Sequence, residues 1–157
     1  MSVRVTVTSN GNLRARAEAA ARRATEIVMG ELKGAFQQSF TARAWEWPRE
    51  TVRSDRSRVG SPRNLIDTAN LRQSASFRMT GPYQGTYRWS ADYATAVHEG
   101  AWIYPGGDRD AERVYLPPRP WTRAVLGQEN VAGIRPFPVG DRLKNVWLVQ
   151  LQRSRGS

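Results

Sequence analysis

The chain has no cysteine, which excludes disulfides, thiolate zinc sites and cysteine nucleophiles. It has one histidine, His98, so any metal site would have to rest on carboxylates. Lysine is nearly missing too: Lys33 and Lys144 stand alone among the 24 Lys and Arg residues. No apolar run approaches the roughly 20 residues of a membrane-spanning helix, and the N-terminus lacks the apolar centre of a secretion signal. Synthesis and folding in a cytoplasm, with no membrane partner, is the expectation. No glycine-rich segment runs into Lys-Ser or Lys-Thr, so a nucleotide-binding phosphate loop is excluded.

What remains is informative. In 157 residues, six Trp, five Tyr and four Phe supply bulky core material although only 39% of the chain is hydrophobic. That suits one domain with a real core rather than two, and argues against a disordered chain. The net charge of +10 is carried almost entirely by arginine. Its planar fork suits phosphate, carboxylate and interface pairing, whereas lysine mainly solubilises. Arginine-biased codon usage is the plainer source of the same composition.

Val3, Val5 and Val7 alternate with polar residues and predict a short strand. Ser9-Asn10-Gly11-Asn12 supplies turn residues and a helix cap. From Leu13 the period changes. Leu13, Ala17, Ala20, Ala24, Ile27, Val28, Leu32, Ala35, Phe36 and Phe40 predict a helix from about Asn12 to Thr41, on the order of 45 Å long, with Gly30 and Gly34 weakening or bending its second half. Its polar face, with Arg14, Arg16, Arg22 and Arg23 beside Glu18 and Glu26, reads as a solvated face.

A long loop follows at about residues 44–64. Trp45 and Trp47 anchor it to the core, and Arg49, Arg53, Arg56, Arg58 and Arg63 are spread along it. Mixed aromatic and arginine content of this kind also occurs in single-strand nucleic-acid binders. Leu65 to Ser74 reads as a helical turn capped by Asp67 or Thr68. Ala75–Thr80 and Thr86–Ser90 form a hairpin around Gly81-Pro82. Ala91 to Glu99 is a short helix closed at Gly100, with Tyr93 and Val97 turned to the core. Residues 101–112 are a loop, and Val114-Tyr115-Leu116 a short strand or extended arm. Pro117 to Pro120 is stiff, and Trp121 opens a short helix stopped by Gly127. Leu143, Val146, Trp147 and Leu151 share a helical face, capped by Asp141, although residues 145–151 read equally as a strand. Residues 1–152 thus make one α+β domain, and 153–157 a basic flexible tail.

Catalytic constellations are thin. His98-Glu99 lacks the second histidine of the zinc-protease helix, since position 102 is Trp. No segment resembles a nucleophile elbow, which leaves His98 a helix-terminal or interfacial polar contact. Asp108, Asp110 and Glu112 alternate beside two glycines, but Arg109 and Arg113 interleave with them and calcium-loop spacing is missing. No catalytic residue, cofactor or metal is expected.

Three segments in order carry a resemblance. They are Asp67-Thr68-Ala69-Asn70-Leu71-Arg72-Gln73-Ser74, then Tyr93-Ala94-Thr95-Ala96-Val97-His98-Glu99-Gly100 after the hairpin, then Pro117-Pro118-Arg119-Pro120-Trp121 opening a helix. Together they resemble the small neck and tail-completion proteins of long-tailed bacteriophages, which join head to tail. The likeness spans roughly Leu65 to Leu126. Ala69 stands where that family usually has glycine, and the Arg49–Arg63 loop matches no family motif.

The resemblance implies a non-enzymatic virion protein, made in the host cytoplasm and placed at the neck. Its fold would be a long helix on a small curved antiparallel sheet, with short helices and extended arms. Copies would close a homo-oligomeric ring of about six or twelve subunits through heterologous contacts. The ring would sit between portal, adaptor or stopper proteins on the head side and the tail terminator or tail tube on the other. Double-stranded DNA would pass through it, held without sequence preference. Asp67, Leu71, His98, Glu99, Tyr115, Pro118, Arg119 and Trp121 are the interface candidates, the arm from Val114 to Pro118 strapping a neighbour. Arg49, Arg53, Arg56, Arg58 and Arg63 are candidates for the DNA channel or a ring-to-ring contact. The rival reading is a free-standing nonspecific nucleic-acid-binding protein.

Overall fold

The structure is a computed structural model that describes residues 11–52, 55–60, 65 and 69–154. The expected strand at Val3–Val7, the Ser9-Asn10 cap and the tail beyond Ser154 lie outside them. Helix α1 runs from Gly11 to Ser39 without interruption, and Gly30 and Gly34 have open space around them. Alanine and unbranched polar residues, all strong helix formers, dominate its first half. Arg14 pairs with Glu18 and Arg22 with Glu26, each one turn on. At the other end Trp45 folds back, and its indole N–H donates to the Ser39 carbonyl at 2.8 Å, satisfying one acceptor of the last turn.

A 3-10 turn at Arg43–Trp45 leads into strands β1 (Thr51–Val52) and β2 (Arg58–Val59), which pair as a minimal ribbon. One turn of helix, α2 (Asn70–Gln73), precedes the hairpin of β3 (Ala75–Gly81) and β4 (Gln84–Trp89). Helix α3 (Ala94–Glu99) leads into β5 (Ala101–Ile103), which pairs antiparallel with β6 (Val114–Leu116). Helices α4 (Trp121–Val125) and α5 (Val139–Arg153) complete the chain. The class is α+β. Among the described residues the strands form three separate two-stranded ribbons rather than one curved sheet.

Two apolar clusters share α1. Its second half, through Leu32 and Phe36, packs with Phe40, Trp45, Leu65, Leu71, Ala94, Trp121, Ala124 and Val125. Its first half, through Ala24 and Val28, packs on Val146 of α5, with Phe137 and Val139 touching both clusters. Alanine on this seam lets α5 approach α1 closely. α5 runs antiparallel to α1, because Arg142 near its start grips Glu31 through both carboxylate oxygens, Nε to Oε2 at 2.7 Å, while Gln150 and Arg153 at its end lie beside Asn12 and Arg16. The segment readable as helix or strand is thereby resolved as helix.

The aromatic contacts radiate from Trp121. Its ring meets Trp89 at 5.8 Å and His98 at 4.6 Å, both edge-on, and Phe40 at 5.3 Å in a tilted contact. Phe36 in turn meets Tyr87 and Trp89 edge-on. The hairpin is pinned to α1 at two further points. The Tyr87 hydroxyl donates to the Met29 carbonyl, and burial pushes its phenol pKa up. The buried Thr25 hydroxyl lies 3.1 Å from the Pro82 carbonyl at the hairpin turn.

Several residues sit otherwise than their pattern suggests. Leu13 is 64% exposed. Ile27 is exposed because it lies about 100° round the helix from Val28. Tyr93 is 44% exposed, since α3 begins only at Ala94 and turns Ala94 and Val97 inward instead. The segment read as a loop from residue 101 contains β5, so the Val114–Leu116 arm already has a partner strand in its own chain. Asp141 lies in the first turn of α5, and its cap position is Pro138.

Trp121→Ala should cost about 3–5 kcal/mol, a large part of a typical domain's stability. Trp121→Phe should cost clearly less. Urea unfolding followed by circular dichroism measures both, and equal costs for the two substitutions would contradict the central place given to the indole.

Candidate functional site

The three motif segments, far apart in sequence, come together on one side of α1. Leu71 of α2 and Trp121 of α4 are in the same apolar cluster. The Ser90 N–H donates to the Ser74 carbonyl at 3.2 Å, and the Arg119 N–H to the Val97 carbonyl at 3.1 Å. Ala69, before α2, has φ +62°, a left-handed conformation that favours glycine. The tight turn is therefore kept with alanine in it. Gly100 has φ +79°, and a Cβ there would meet the Leu116 carbonyl oxygen and the Pro118 ring at 3.0 Å. Glycine at that position lets α3 stop against the end of β6.

His98 sits where these segments join. With its proton on Nδ1 it donates to Glu99 Oε1 at 2.6 Å and accepts at Nε2 from the Thr122 hydroxyl at 2.7 Å, a tautomer assigned from these partners. The other Glu99 oxygen accepts from Arg123. The hydrogen bond from His98, and then that from Arg123, holds the Glu99 carboxyl below the usual range. Carboxylate, imidazole and hydroxyl are thus aligned in the order used to activate a nucleophile. A shallow pocket of about 240 Å³ opens beside them, with Tyr87, Trp89 and Thr95 in its walls. The same bonds tie α3 to α4. Thr122 and Arg123 escaped sequence reasoning, although both directly follow the Pro-Arg-Pro-Trp segment that had been singled out.

The expected interface residues divide by burial. Leu71, Arg119 and Trp121 are 3%, 7% and 1% exposed, so they support the core and offer little area to a neighbour. Arg119 instead lies over the Trp47 ring at 5.5 Å. Glu99, Tyr115 and Pro118 are exposed, and His98 is half-buried. Asp67 lies outside the described residues. The β5–β6 ribbon carries the largest aromatic exposure. Trp102, 63% exposed, pairs across the strands with Tyr115 at 5.4 Å, and Arg113 lies over the Trp102 ring. Tyr104, also exposed, follows β5. Sequence reading assigned this stretch to a loop and missed Trp102.

Arg49, Arg56 and Arg58 of the arginine loop are exposed, and Arg58 pairs with Glu50 at 3.1 Å. Arg53 and Arg63 lie outside the described residues. Trp45 and Trp47 are both buried and root the loop in the core. Asp108, Asp110 and Glu112 are exposed, and Asp108 Oδ1 accepts the Asp110 N–H at 3.0 Å. Among the described residues no group of three His, Cys, Asp or Glu side chains is placed to hold a metal ion. No described helix is long and apolar enough to cross a membrane. No protein-family model matches the chain, and no curated protein or solved structure is significantly similar to it.

Ala69→Gly relieves a left-handed alanine costing about 1–2 kcal/mol, against about 0.5–1 kcal/mol of added chain entropy, so it should leave stability unchanged or raise it by up to about 1.5 kcal/mol. Ala69→Val should destabilise, and urea midpoints decide. Glu99 and Glu31 both have carboxyl pKa values lowered from 4.5, Glu31 by its hydrogen bond from Arg142. Their contribution is complete above about pH 4.5 and is lost as pH falls through the lower folded values. Thermal midpoints across the acid range should therefore fall less steeply in Glu99→Gln and Glu31→Gln than in the parent; parallel curves would rule this linkage out.

Proposed function

We propose that this protein is a non-enzymatic structural virion protein of the bacteriophage neck, one subunit of a ring between portal and tail through which DNA passes. The observation that carries the reading is the exposed aromatic ribbon directly after the His98-Glu99-Gly100 segment. Trp102 is the one tryptophan left exposed; the other five are buried or half-buried. Paired aromatics exposed on one face of a two-stranded ribbon are the kind of anchor that fills a pocket on a partner. In a ring, each copy would offer the ribbon to the next, and rotation would close the series. Glu99, Pro118 and Tyr115 flank that contact.

In this reading the Glu99–His98–Thr122 array is a clasp. It fixes the angle between α3 and α4, and through Gly100 the direction in which the ribbon leaves the core. Glu99 is shared with Arg123, which draws its charge away from the imidazole and suits an orienting role better than activation of Thr122. The motif resemblance supports the same reading, since its three segments form one packed unit and Ala69 adopts the turn a glycine would make. The exposed Arg49, Arg56 and Arg58 loop, beside the Pro105–Gly107 turn at the far end of the ribbon, suits a contact between stacked rings.

The strong arginine bias also favours a second reading, a free-standing nonspecific nucleic-acid-binding protein. Size-exclusion chromatography with light scattering, together with imaging of the labelled protein in purified virions, separates the two. Density at the portal–tail junction supports the neck; a tight DNA-binding monomer or dimer that never enters virions refutes it. Trp102→Ser with Tyr115→Ser should leave the thermal midpoint nearly unchanged and abolish incorporation into particles. Wild-type incorporation of that variant would remove the ribbon as the ring contact.

A further inference from the structure

The first three turns of α1 and the last turn of α5 enclose an open notch of about 530 Å³. Arg16 and Arg23 of α1 and Arg153 of α5 line it, with Ala19, Ala20 and Gln150 between them. The charge pattern on α1 is selective. Its two acidic residues here are each taken by the arginine one turn earlier, Glu18 by Arg14 and Glu26 by Arg22. Arg16 and Arg23 are left over. They are seven residues apart, two turns and about 10 Å along the same face. Neither they nor Arg153 has a hydrogen bond or ion pair among the described residues. Arg16 Nη2 is buried with no acceptor, a condition that costs free energy unless something anionic completes it.

Nothing nearby in the sequence can neutralise the notch with a side chain. The flanking sequence, residues 1–10 and 155–157, contains no Asp or Glu. The lining includes no aromatic or large aliphatic side chain. A docked protein segment would want such an apolar anchor, whereas a sugar–phosphate backbone needs only well-placed donors and positive charge.

We propose that this notch binds phosphate groups of a nucleic-acid backbone, and that Arg16, Arg23 and Arg153 are its phosphate contacts. The inference deepens the neck reading, on which it rests only for the identity of the polymer as duplex DNA. It moves the DNA contact away from the arginine loop, which begins on the order of 35 Å further along α1. Two α1 guanidiniums in register with one from α5 form a track that holds phosphate without reading bases. Because three contacts are few, salt at physiological strength keeps them reversible, as passage of DNA through a ring requires.

The test is fluorescence anisotropy of the full-length protein with a short random-sequence duplex across a salt series. It compares the parent, the notch variant Arg16→Ser/Arg23→Ser/Arg153→Ser, and the charge-matched loop variant Arg49→Ser/Arg56→Ser/Arg58→Ser. The notch variant should lose at least about tenfold in affinity at low salt, and its log–log salt slope should shrink by about 2–3, close to 0.9 per lost phosphate contact. The loop variant should lose much less. Equal losses, a loss confined to the loop variant, or no binding by the parent would each overturn the proposal. So would displacement of the duplex by inorganic phosphate at the same total phosphate concentration, which would make the free ion the occupant. Should the triple serine variant fail to fold, Arg16→Lys/Arg23→Lys/Arg153→Lys replaces it. Point charges should then preserve most of the binding while weakening the geometric part, and unaltered affinity and slope would overturn the specific use of arginine. Imaging of virions reads the neck location separately, so either idea can fail alone.

Discussion

Trp121 is 1% exposed and touches Phe40 at the end of α1, Trp89 of β4 and His98 of α3. Four elements that share no sheet are held to one another through this single ring system. Burying about 200 Å² of indole at about 25 cal/mol per Å² stabilises the fold by about 5 kcal/mol, and each edge-on aromatic pair adds about 0.5–1.5 kcal/mol. In a domain whose described strands make only two-stranded ribbons, the sheets cannot carry the fold. Such ribbons are marginal by themselves, so their geometry is borrowed from the helices and from this cluster.

Packing around Trp121 also sets what the surface presents. His98 lies edge-on to the indole, and its two ring nitrogens reach Glu99 and Thr122, so the imidazole is fixed from three sides. α3 then ends where Gly100 meets Leu116 and Pro118. The path of β5 is fixed within a few residues of the aromatic centre. A base fixed at Gly100, a far end in contact with β1 and Trp102 exposed between them make the ribbon a directed feature of the surface. That is the arrangement a repeating contact between copies demands, because a mobile ribbon would pay conformational entropy at every interface.

Much of this was legible in the sequence wherever a period ran long enough. The 29-residue α1 announces itself through alternating Ala, Leu and Phe at helical spacing, and the β3–β4 hairpin through its alternation around Gly81-Pro82. Short elements were less legible. β5 is three residues long, too brief for a period, and its central Trp102 points to solvent, contrary to the expectation that tryptophan marks a core. Three of the interface candidates differ in the opposite sense, being buried in the chain. Leu71, Arg119 and Trp121 were singled out within motifs, and motifs mix residues that hold a surface in place with residues that form it. Arg119 is the instructive case: it is charged, yet buried over Trp47, so charge alone did not place it outside. The contact of His98 with Thr122 spans 24 residues and depends on the packing of α4, which no local spacing encodes.

Arginine is where composition and geometry meet. From the sequence, the greatest local density of unpaired arginine lay in the loop between Arg49 and Arg63, because no period organised it. On α1 the same residues looked like an ordinary solvated face with compensating glutamates. The structure separates the two by pairing. In the loop, Arg58 is engaged by Glu50. On α1, the glutamates neutralise Arg14 and Arg22 and leave Arg16 and Arg23 to converge with Arg153 from a helix more than a hundred residues away. An electrostatic site is defined by which charges lack partners and share a space. Counting arginines along the chain finds density; the antiparallel packing of α5 on α1, set by the Ala24–Val28–Val146 seam and the Glu31–Arg142 clamp, creates the convergence.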